Sequence, residues 1–165
     1  MAKDLGYYAS DRDGFFDGLV DQYGNQLQRI NITEKLFMIS AIATMHFMDG
    51  SMADALGILG DSKDTPQEIR DILLQLEPMD YSTQFGFMES LLAQSREQYR
   101  LQIEFLRQLA NAGVSNDLAE EVSCIIAAGG ERTDAQIALV SQAWRQVVES
   151  DPRLANRIEM MMTAP

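Results

Sequence analysis

Residues 33–52, TEKLFMISAIATMHFMDGSM, gather four of the ten methionines and the only histidine of a 165-residue chain. Methionine and histidine are both ligand residues, so the stretch reads either as a site or as core. Its spacing favours core. Leu36, Phe37, Ile39, Ile42, Ala43 and Phe47 fall all the way round a helix of 3.6 residues per turn. That predicts a central helix wrapped by others, capped from Asn31 and ended at Gly50. The small residues Ser40, Ala41, Ala43 and Thr44 either let a second helix approach or leave room for a flat apolar guest.

Working outward, helix signals recur. Asn31 with Glu34, Thr65 with Glu68 and Thr133 with Gln136 each place a small polar residue three positions ahead of a Glu or Gln, the spacing of a capping box. Pro66 and Pro152 suit the first helical position, where a missing N–H costs nothing. Phe85, Met88, Leu92, Tyr99, Ile103, Leu106 and Leu109 follow the helical period along one side of a long segment, and Gly113 has the position of its C′ glycine. Nowhere do β-branched and aromatic residues alternate with polar ones over a strand's length. The expectation is an all-α protein without a sheet: one compact, bundle-like domain over residues 1–165. Its seven or eight helices lie near 11–28, 32–48, 51–59, 66–76, 82–111 (either continuous or broken near Ala93), 116–128, 134–149 and 152–162. Residues 1–10 and 160–165 are the expected mobile ends.

Composition narrows the function. Twenty-five acidic against 13 basic residues leave a net charge of −12, which repels phosphate backbones, so no nucleic acid is expected as partner. The longest apolar run, Leu36 to Met48, falls short of the roughly 20 residues that span a bilayer. The opening residues carry no apolar core behind basic ones, so neither membrane insertion nor a signal peptide is expected, and the location is read as cytoplasmic. A single cysteine, Cys124, excludes an internal disulfide, and its apolar setting VSCIIAAGG suggests inert packing.

The constellations that carry chemistry are sparse. His46 has Asp49 three residues on, but a His–Asp pair without a nucleophile is half a mechanism, and no G-x-S-x-G turn occurs. A di-metal bundle site needs paired Glu-x-x-His motifs, and the one histidine has no Glu three residues before it. GILGD and AAGGER lack the Lys-Ser/Thr of a phosphate loop. Asp13, Asp17 and Asp21, spaced i, i+4 and i+8, form an acidic stripe that is either a solvated face or a docking face for a partner. DRDGFF lacks the closing Glu of a calcium loop. Tyr99 and Trp144 read as core residues, and the terminal RIEMMMTAP as a frayed turn or a partner contact.

One family resemblance adds to this. Ile30-Asn31-x-x-Glu34-x-Leu36, Pro66-x-Glu68-Ile69, Met79-x4-Gln84-x3-Met88-x2-Leu91 and Ser95-Arg96-Glu97-x-Tyr99 before EFLRQLANAG resemble, in order, segments of the all-helical carotenoid-binding domain. That domain forms the N-terminal half of cyanobacterial orange carotenoid proteins and also occurs alone as helical carotenoid proteins. The resemblance covers about residues 30–113 and implies a helical fold, a carotenoid as apolar ligand and an association with a photosynthetic antenna, the phycobilisome. The sequence departs from that family at Ser40 and Ala43, where ring-stacking aromatics belong, and at Phe105, which stands near the place of a tryptophan. An apolar groove for such a ligand would draw on Ser40, Ala43, Met45, Phe47, Met88 and Phe105. The leading expectation is a non-catalytic binding or assembly module, without cofactor or metal, that uses an acidic helix face and a Met-rich apolar surface on a protein partner, with a homo-oligomer as a further option. Carotenoid binding is the alternative, and a small enzyme resting on His46 or Cys124 is the third.

Overall fold

A computed structural model of the chain describes residues 4–8, 14–60, 65–129 and 132–150. Among them there are eight helices and no strand: α1 (Leu5–Tyr8), α2 (Phe15–Tyr23), α3 (Ile32–Met48), α4 (Met52–Leu59), α5 (Gln67–Leu76), α6 (Tyr81–Asn111), α7 (Asn116–Ala128) and α8 (Asp134–Ser150). The all-α reading holds. Buried apolar residues gather into two cores, one in a compact unit reaching to Glu97, the other in a unit starting at Gln98, so the division falls within α6. In the first, Phe16, Met38, Ile42, Leu73, Phe87 and Leu91 are buried together. In the second, Leu109, Val114, Leu118, Val122 and Val147 are.

Local chemistry sets the helix ends. Asn31 accepts from the Glu34 amide at 2.9 Å while the Glu34 carboxylate accepts from the Asn31 amide at 2.9 Å, which closes the expected box on α3. Thr133 and Gln136 form the same reciprocal pair at 3.0 and 3.2 Å ahead of α8. Ser51 and Asp54 make a third box on α4. Expectation failed at α5, where Pro66 itself is the N-cap, in extended backbone, and no side chain caps the helix. The first helix of any length is also shorter than 11–28. Gly14 at φ 74° and Gly24 at φ 85° bound α2 at Phe15–Tyr23, and residues 24–30 form turns around a buried Leu27 at φ 48°. Within the segment expected to be mobile, Leu5 is fully buried and its amide donates to the Asn25 carbonyl at 3.0 Å. The expected helix 152–162 and the RIEMMMTAP segment lie outside the described residues.

α3 ends at Met48 as predicted, but the residue that turns the chain there is not the glycine expected. Asp49, not Gly50, takes the left-handed conformation, with φ 52°, and its amide reaches the His46 and Met45 carbonyls, while the Gly50 amide donates to Met45 O at 3.2 Å. α3 and α4 then meet at a 117° bend. α3 is not wrapped on all sides: Met38, Ala41, Ile42 and Met45 are buried, whereas Ser40, Ala43 and Leu36 are exposed and Phe47 is 92% exposed.

α6 runs unbroken past Ala93, the continuous option of the two, and buries Phe87 and Leu91 in the first unit and Phe105 and Leu109 in the second, while part of its apolar surface faces out. Of the expected stripe, Leu109 is buried and Met88 and Leu106 are half-buried against the cores, whereas Phe85 and Leu92 in the first unit and Tyr99 and Ile103 in the second face outward, as does Tyr81. Tyr99 is therefore not a core residue. Facing inward, beside Phe87 and Leu91, are Gln84, Ser90, Gln94 and Ser95, all buried. Ser90 Oγ accepts from Gln94 Nε2 at 2.8 Å and Ser95 Oγ donates to Leu91 O at 2.7 Å, so much of this polar interior is satisfied locally. No single described helix is long and apolar enough to cross a membrane.

Candidate functional site

The last turn of α3, the end of α5 and the start of α6 meet around His46. Its ring lies parallel to Phe85, with centroids 4.9 Å apart and planes 11° apart, and is tilted against Tyr81 at 5.0 Å. Below this ledge opens a cleft of about 360 Å³, walled by His46, Asp49, Glu77, Asp80, Tyr81 and Gln84, with Met45, Gly50 and Met79 completing it. Three carboxylates line it, and no lysine or arginine does.

Each acid is placed by a distinct local bond. Glu77 Oε1 accepts from the Met52 amide at 3.1 Å, which satisfies the first turn of α4. Asp80 caps α6, accepting from the Thr83 amide at 3.1 Å and the Thr83 hydroxyl at 2.8 Å; these bonds hold its carboxyl below the usual range, so it is charged at neutral pH. Asp49 rides on its left-handed backbone at the exposed rim. Gln84, only 2% exposed, donates through Nε2 to the carbonyls of Leu76, Glu77 and Met79 at 3.1, 2.9 and 3.0 Å, tying the end of α5 to α6. That leaves Gln84 Oε1 buried with no hydrogen-bond partner, and His46 Nε2 is in the same state. Two orphaned polar atoms on one small cleft call for an explanation.

The residues singled out from sequence are dispersed. Ser40, Ala43 and Phe47 lie on the outward side of α3, Met45 on its buried side, Met88 is half-buried, and Phe105 is buried in the other unit. Asp17 and Asp21 are exposed on α2, and Asp13 lies outside the described residues. His46 and Asp49 do share the cleft, though His46 Nε2 makes no bond to the carboxylate. Cys124 is exposed rather than packed; its Sγ accepts from Gln102 Nε2 at 2.9 Å, and partial burial together with Glu120 and Glu121 pushes the thiol up, opposite to an activated nucleophile. Trp144 is half-buried against the second core.

Sequence reasoning missed Glu77, Asp80, Tyr81 and Gln84. The segment EPMD, residues 77–80, stood out only as a helix breaker; two acids framing a breaker, directly followed by an aromatic, were the available signal. A second cleft, of about 460 Å³, is lined by Tyr23, Glu68 and Asp71, among others. There the Tyr23 hydroxyl donates to Glu68 at 3.4 Å, and burial together with that carboxylate pushes the phenol up. No family model matches the chain, and no curated protein or solved structure matches it.

Proposed function

We propose that this chain is a non-catalytic protein-binding module that captures a basic, amphipathic segment of a partner on the ledge formed by α3 and the start of α6. The exposed rings at the start of α6 carry the reading: Tyr81 is 66% exposed and Phe85 49%, on a helix that already buries Phe87 and Leu91 on its inward side. Exposed apolar surface beyond what the core takes marks an interaction surface. Large aromatic rings are the side chains that dominate protein interfaces. Charge supports the choice of partner, since the adjoining cleft is lined by acids without a lysine or arginine and the chain carries −12 overall.

The test is affinity capture from the native host with the wild-type chain and with the double variant Tyr81→Asp/Phe85→Asp, both checked for helical content by circular dichroism. Wild type is expected to retain a basic partner at low salt and to lose it as salt rises, and the folded double variant to retain none of it. Equal retention of the same partner by both chains would refute the reading.

A further inference from the structure

We propose that the cleft beside His46 is a binding site for a primary ammonium or guanidinium group. Three features converge on that chemistry. Asp49, Glu77 and Asp80 supply negative charge with no basic side chain lining the cleft to neutralise it. Gln84 Oε1, on a side chain 2% exposed, is an acceptor without a donor, in the wall of the same cleft. The ring of Tyr81, also in the wall, is of the kind whose face attracts a cation.

The arrangement also selects among cations. Among the described residues no three His, Cys, Asp or Glu side chains stand together as a metal site requires. Acceptors set apart around a volume of about 360 Å³ suit instead an organic cation whose several N–H bonds point in different directions. Asp49 sharpens the point. It holds a left-handed φ of 52° directly before a glycine that does not, so the chain keeps a carboxylate where glycine would fit with less strain. Of the three acids, Glu77 and Asp80 are engaged in holding α4 and α6, which leaves Asp49 as the acid whose place on the rim serves the cleft.

The inference rests on the partner-binding reading only for the surface it uses, because the cation can arrive on a partner's lysine or arginine or as a free amine. Small probes separate these. The full chain is titrated calorimetrically with Nα-acetyl-arginine amide, Nα-acetyl-lysine amide, putrescine, and the uncharged isostere Nα-acetyl-citrulline amide. A cationic probe is expected to bind in the millimolar range or tighter, and the citrulline compound about tenfold more weakly. Asp49→Asn, which keeps the left-handed backbone accessible, should weaken the cation by roughly tenfold. Asp17→Asn/Asp21→Asn, which removes more charge from elsewhere, should leave affinity within about twofold. Binding of the blocked amino acids without putrescine assigns a side chain; binding of putrescine alone assigns a free amine. Absence of binding by every cation, equal binding of citrulline, or an Asp49→Asn protein that binds as wild type overturns the site. Because no partner is involved, a failure here leaves capture on the aromatic ledge standing, and a failure of capture leaves the titration standing.

Discussion

Lys35 shows how much a single side chain costs this fold. It sits on α3, 1% exposed, with Nζ 3.4 Å from the Gln26 carbonyl, and burial lowers its pKa from 10.5 to about 8, partly opposed by Glu34. The charged form is disfavoured in the folded chain, so the unfolded chain binds more protons between those two values. The penalty from Lys35 should therefore be absent above about pH 10.5, grow as pH falls from there toward 8, and stay constant below 8. Lys35→Met should raise stability at pH 7 by about 2 to 3 kcal/mol, and urea melts from pH 7 to 10.5 should show the gap between the two proteins closing. Nothing in the sequence foretold this, because Lys35 lies in the run TEKLF as an ordinary surface lysine would; burial is a tertiary property. His46 makes the contrasting case. Its spacing marked it as a helix residue, and its contacts are two rings, so His46→Phe should keep thermal stability near wild type while His46→Ala lowers it by about 1 to 2 kcal/mol through loss of both ring contacts.

At the scale of the helix, Gln84 is the joint. Its amide serves three carbonyls at the end of α5 and in the turn after it, groups that have no intrahelical donor. Gln84→Leu should cost about 2 to 4 kcal/mol, read as a lower midpoint in chemical denaturation with the slope unchanged. Helix positions were legible because caps and periodicity are local: α3 and α7 begin and end where Asn31, Ser115 and Gly129 place them. Which side of α6 faces in was not legible. Periodicity locates an apolar stripe but is silent on whether the neighbour covering it belongs to the same chain, and here the core takes Phe87 and Leu91 with Gln84, Ser90 and Gln94, while Phe85 and Leu92 stay outside. The candidate site was hidden for a related reason, since residues 46–49 and 77–84 meet only once the bend at Asp49 and the Gln84 joint have formed.

For the molecule as a whole, charge and apolar exposure act against each other. The chain carries −12 at neutral pH and has an isoelectric point near 4.3, while Phe47, Tyr81 and Phe85 stand open to solvent. Mutual repulsion keeps copies apart only while the carboxylates are ionised. Light scattering on a descending pH series should show particle size growing as pH nears 4.3, and Tyr81→Ser/Phe85→Ser should delay that growth to lower pH or higher concentration. The exposed rings thus give the acidic surface a colloidal role: the same carboxylates that give this chain its charge are the shield that keeps so greasy a face from meeting its own copies.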